Sequence, residues 1–161
     1  MTPRLQIIGL GQALAGDDGV GLAVLHALRA QPLPSDVELL TIADPSALVD
    51  LFASDTAILL LDAVLGEPAG EIAELTPEAL SARPPLSVSS HGLGIPQAIG
   101  LARALAEGGP MATIRIIAVT IARPERYARG LSPAVAAAVP RAMQRVLAHV
   151  NEHTNLERAR S

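Results

Sequence analysis

The chain has 161 residues, 12 basic against 16 acidic for a formal charge of -4, half of them hydrophobic and none of them Cys. One domain is the expected organisation, and a chain of this size buries roughly 70% of its unfolded surface, enough for a core without covalent staples. Without Cys there is no disulfide framework, thiolate metal site or Cys nucleophile, which fits a reducing, cytoplasmic setting.

All basic residues are Arg, so Schiff-base chemistry and a phosphate-loop Lys are also excluded. The Arg residues are scattered from Arg4 to Arg160, and Phe52 and Tyr127 are the sole aromatics. A nucleic-acid reader needs a basic stripe and stacking aromatics, and neither is present. Met1 to Gly11 lacks the long apolar segment of a signal peptide, and no apolar run reaches the roughly 18 residues of a membrane span. A soluble monomer is expected.

In chain order, Leu5 to Leu10 reads as a buried strand running into the turn glycines Gly9 and Gly11. Gly19 to Ala30 reads as a helix with Val20, Ala23, Val24, Ala27 and Leu28 on its apolar face, stopped by Pro32 and Pro34. His26 within it is expected to pack. Val37 to Ile42 is a second strand, and Asp44 and Pro45 then supply the N-cap and first residue of a helix Pro45 to Phe52. Thr56 to Leu61 is the most strand-like run and is expected to end at Asp62.

Glu71 to Leu75 suits an edge strand, with Thr76, Pro77 and Glu78 opening a short helix behind it. Ser81 to Gly94 has the composition of a loop. Ile95 to Ala106 is helical by pattern, Gly108 to Pro110 breaks it, and Ile114 to Ile121 is the last strand. Ser132 is the expected cap of a final helix from Pro133 to about Val150, kinked or split at Pro140. Alternating strands and helices predict an α/β fold, a three-layer sandwich with a mostly parallel central sheet and helices on both faces. Residues 1–150 form its single domain, and 151–161 are a polar tail expected to fray.

Several residues invite a chemical reading. Gly9-Leu10-Gly11 looks like the start of a dinucleotide fingerprint, but Leu14 stands where its third glycine belongs, and Asp17 and Asp18 would repel a pyrophosphate. Asp44 does occupy a place open to a ribose-binding acid. Acids at a helix start also offset its dipole, yet two in succession after the first strand place at least one carboxylate over the carboxyl edge of the sheet, where open α/β folds build sites. Asp62 follows the apolar run Ala57 to Leu61; such a carboxylate needs a partner, whether backbone amides of a turn or a site. His91 lies among small residues, from Ser87 to Gly94, in a loop that can bring an imidazole to a cleft. Neighbouring Ser90 lacks the turn of a serine nucleophile. His149, Glu152 and His153 have helical ligand spacing in an order foreign to zinc proteases, and histidines in a last turn also suit the C-terminal end of a helix dipole.

Taken together, Gly9-x-Gly11, Asp17-Asp18-Gly19-x-Gly21, Asp62-Ala63, Ser90-His91-x-Leu93-Gly94 and Gly130-Leu131-Ser132-Pro133 resemble, in order and spacing, the hydrogenase maturation proteases. The resemblance runs from about Leu5 to Val150. It implies a cytoplasmic endopeptidase that removes a C-terminal extension from the precursor of a nickel-iron hydrogenase large subunit after nickel insertion. It also implies that Asp18, Asp62 and His91 bind the nickel carried by the substrate; hydrolysis would then be activated either by an Asp, Asp18 or Asp62, or by a metal-bound water. Such a mixed oxygen and nitrogen set suits nickel and also zinc. A non-proteolytic checkpoint protein for metallated precursors is the alternative, followed by a dinucleotide-binding protein. The chain departs from the family pattern at Gln12, where an Asn is usual, and at Ala43-Asp44-Pro45-Ser46, where many members carry Asp-Gly-Gly-Thr.

Overall fold

A computed structural model describes residues 4–12, 16–83, 94–123 and 129–161. Five strands, β1 (Leu5–Leu10), β2 (Val37–Ile42), β3 (Ala57–Leu65), β4 (Ile72–Leu75) and β5 (Thr113–Ile121), form one sheet in the order β2-β1-β3-β5-β4. The first three and β5 are parallel, whereas β4 runs antiparallel to β5 at the edge. Parallel neighbours require crossovers, and these are supplied by the helices α1 (Val20–Leu28), α2 (Leu48–Phe52), α3 (Pro77–Ser81) and α4 (Ile95–Leu105); α5 (Pro133–Arg160) closes the chain.

The period of two in the strands divides the core between the faces. Leu5, Ile7, Leu59, Leu61, Ile117 and Val119 pack with Val24, Leu25 and Leu28 of α1 and with Val135, Ala138, Ala142 and Val146 of α5. Ile8, Leu10, Ile58, Leu60, Val64 and Ile116 pack with Leu48 and Phe52 of α2 and Ile95, Ala98 and Ala102 of α4. The result is the predicted three-layer α/β sandwich.

Differences from expectation have local causes. The start of α1 is a separate 3-10 turn, Gly16–Gly19, and its buried face is Val20, Gly21, Val24, Leu25 and Leu28, not the one through Ala23 and Ala27. The helix meets the sheet at Gly21, which turns Leu25 inward. His26 is exposed instead of packed. The helix expected at Pro45 begins as a 3-10 turn, Pro45–Ala47, capped by Asp44 through the Ser46 N–H at 3.0 Å. Strand β3 runs through Asp62 to Leu65, because β5 pairs with it along that whole length. Ser81 belongs to α3, not to the loop after it. Pro140 does not split α5, whose 28 residues continue past Val150 to Arg160, so the segment expected to fray is helical. Among the described residues no helix is long and apolar enough to cross a membrane.

Candidate functional site

From β1 the chain crosses outward to β2 and then returns to β3 on the other side of β1. Such a reversal leaves a crevice at the carboxyl ends of the two central strands, the usual site position in open α/β sheets. Pairing of β1 with β3 ends at Gly9 and Leu61, so Asp62 is the first β3 residue past it, still held on its other side by Ala118 of β5. Its parity with Ile58, Leu60 and Val64 sets it on the α2 and α4 face, and its Oδ1 accepts the Ala63 N–H at 2.8 Å.

Asp18 reaches the same crevice from the 3-10 turn after β1. The turn is pressed against the strand ends: Gly11 has φ +127°, and a Cβ there would strike the Asp18 carbonyl oxygen. Gly21 rests on the carbonyl oxygens of Leu10 and Leu61, too close for any side chain. The paired glycines after β1 therefore serve close backbone approach around Asp18.

The carboxylates sense one another. Asp62 is pushed up to about 7, first by burial, which outweighs the opposing Ala63 N–H, and then by the negative charge of Asp18. Burial also raises Asp18. Two acids in one crevice, both displaced toward the neutral form, make a place where a proton or a divalent cation relieves repulsion.

The neighbouring acid has another task. The Asp17 carboxylate accepts the Ser132 N–H at 2.6 Å and the Ser132 hydroxyl at 2.8 Å. Ser132 stands at the N-cap position of α5, ahead of Pro133 as expected, but its hydroxyl reaches Asp17 instead of its own helix. This contact spans 115 positions, so sequence spacing carried no sign of it.

Of the predicted site residues, Asp18 and Asp62 are thus brought together, while His91 lies outside the described residues. Its described flank, Gly94 and Ile95, opens α4, and Ile95 is buried in the cluster that holds Ile58, Leu60 and Val64. Asp44 is used as a cap, and its carboxyl is held below the usual range by the Ser46 N–H. Gln12 is exposed. His149 and His153 do not converge on an ion: His149 Nε2 lies 3.4 Å from Glu74, which also bonds Arg145 at 3.0 Å. Among the described residues no group of three or more His, Asp and Glu side chains could hold a metal.

The fold and crevice define an α/β protein with an acidic site at the reversal of its strand order. Comparisons with known proteins give this class a family. The model of the hydrogenase maturation protease family, HycI, matches residues 24–149. Protein FrxA of Pyrococcus furiosus is 30% identical over 138 residues, covering 85% of this chain and 98% of FrxA. The hydrogenase maturating endopeptidase HybD from E. coli superposes with a TM-score of 0.74 at 25% identity, over 92% of this chain and 93% of that one. A second endopeptidase from Escherichia coli has the same fold, with a TM-score of 0.76 at 24% identity over 92% of this chain and 93% of that one. The chain belongs to the hydrogenase maturation protease family and is, as its members are, a hydrolase of the endopeptidase class.

Proposed function

We propose that this endopeptidase removes the C-terminal extension of a nickel-iron hydrogenase large-subunit precursor once nickel is in place, reading the ion with Asp18, Asp62 and His91. The observation that carries this reading is the convergence of Asp18 and Asp62 at the strand reversal, where each is disfavoured as an unpaired anion. A cation delivered by the substrate relieves that penalty, so docking is coupled to the metal state of the precursor. The described start of α4, on the face of Asp62, supports a ligand from the segment leading into it. An imidazole and two carboxylates accept zinc as well as nickel, and discrimination rests on the precursor that presents the ion.

The ion serves as a latch that orients the scissile peptide. Peptide hydrolysis needs a group that takes a proton from the attacking water, and a carboxylate of the crevice that the ion leaves free, or a water bound to the ion itself, would do that work. Asp62 and Asp18 are the catalytic candidates. The enzyme acts as a monomer in the cytoplasm, a compartment with which a chain free of Cys is compatible.

The test is incubation with a nickel-loaded precursor and mass spectrometry of the products. Release of a C-terminal peptide by the wild type, and its loss in a folded Asp62→Asn variant, is the expected result. Binding of the precursor without peptide release would identify a checkpoint protein instead. Processing at the wild-type rate by Asp62→Asn would show that Asp62 is structural.

A further inference from the structure

The motif Asp17-Asp18 holds two carboxylates of the same chemistry whose side chains have different destinations. In a 3-10 turn successive side chains are about 120° apart, so neighbours cannot serve the same point. Asp18 acts on Asp62 in the crevice. Asp17 turns away from it and takes both donors of Ser132. These are charge-assisted bonds at the short end of their range, made to the N-cap residue of the longest helix among the described residues.

We infer that Asp17 is a positioning residue, which fixes the distance and direction of Asp18 relative to Asp62 by clamping the 3-10 turn to the start of α5. Among the described residues, the two Asp17 bonds are the hydrogen bonds that tie this turn to another element. Gly16 enters it at φ +61°, a conformation that adds no side-chain contact, and Gly11 offers the Asp18 carbonyl a close surface but no hydrogen bond. On the far side Gly21 fixes the helix that follows. Between those two points the Asp17 carboxylate holds the turn from the side, through an element anchored along the sheet by Val135, Ala138, Ala142 and Val146. Metal coordination tolerates only a few tenths of an ångström, so slack in this turn would appear directly in ion affinity.

The inference rests on the proposed reading of Asp18 and Asp62 as ligands, and the experiment separates the two. Calorimetric titration with Ni2+ alone would be run on the full-length wild type, Asp17→Ala, Asp17→Asn, Asp62→Asn and Val150→Ala, with thermal unfolding of each. Asn can accept the Ser132 N–H and donate to its hydroxyl, so it keeps the clamp. Val150 is a buried residue near the other end of α5's packed face and reports on simple loss of stability. The expected pattern is a Kd weakened at least about tenfold in Asp17→Ala, within about threefold of wild type in Asp17→Asn, and unchanged in Val150→Ala despite its lower Tm. Unchanged Ni2+ affinity in Asp17→Ala, with a lowered Tm and with binding lost in Asp62→Asn, would overturn the clamp and leave the ligand reading intact. Wild-type affinity in Asp62→Asn would overturn the ligand reading and the clamp with it.

Discussion

Asp62 is a residue whose environment works against its ordinary state. Its pKa in the fold, about 7, lies well above the ordinary 3.8, so the native protein holds this proton more tightly than the unfolded chain does. The associated stability is fully present below the unfolded value and is lost as pH rises through about 7. An Asn at this position keeps the acceptor for the Ala63 N–H but carries no charge to desolvate. Asp62→Asn should therefore be more stable than the wild type by about 1–3 kcal/mol at roughly pH 8, with the gain vanishing near about pH 4, as measured by urea unfolding at both values. The same proton competes with a cation. Divalent-ion affinity should fall as pH drops below about 7, and His91 should steepen the fall below about 6.5, where a free imidazole becomes protonated. A flat calorimetric profile between about pH 5 and 8 would count against all three residues as the proposed ligands. On the proposed reading, Asp62 gives up stability for function, a frequent arrangement in enzymes.

At the scale of elements, the seam between α1 and the strand ends governs whether Asp18 faces the crevice. A methyl group on Gly21 would enter the space of the Leu61 carbonyl oxygen and lie 2.6 Å from that of Leu10, both backbone atoms that cannot swing aside. Gly21→Ala should lose at least about 2 kcal/mol in denaturant unfolding and most of its Ni2+ affinity, since the helix must lift and carry the turn with it. A neutral outcome would mean that the seam is looser than it looks. This contact also marks where the sequence was legible and where it was not. Strands β1 and β2 have the bounds that their apolar runs predict: β1, buried at every position, shows itself as continuous hydrophobicity, while the half-exposed edge strand β2 is marked by its apolar and β-branched residues. Asp62 broke that signal in β3, although backbone pairing with β5 is indifferent to the side chain and carries the strand on to Leu65. On α1, alanines at helical spacing looked equivalent to larger residues, and tertiary contact at Gly21 chose a different face. Asp18 and Asp62 stood out in the sequence as acids directly after apolar runs, although β3 continues past Asp62 to Leu65, whereas the Asp17 contact with Ser132 depends on a partner 115 positions away and leaves no local trace.

For the whole molecule, the order β2-β1-β3-β5-β4 makes the two central strands, β1 and β3, the walls of the crevice, and the remaining elements hold those walls. Where this unit stops along the chain follows from the distribution of burial in α5. Val150 is the last buried core residue, and the helix beyond it is mostly exposed. Its ties to the body include the Arg4–Glu157 ion pair at 2.8 Å, in which Arg4 is 53% exposed, a setting in which solvent screening leaves little net stabilisation. Helical geometry past Val150 is inherited from the packed turns before it, since propagation adds a hydrogen bond for each residue ordered once a helix is nucleated. Removing residues 151–161 should consequently cost no more than about 1–2 kcal/mol and leave the processing rate within about twofold of the intact enzyme, checked by urea unfolding and the precursor assay. A loss above about 3 kcal/mol would place the last turns of α5 within the cooperative unit, and a selective loss of processing with unfolding unchanged would mean that they contact the precursor.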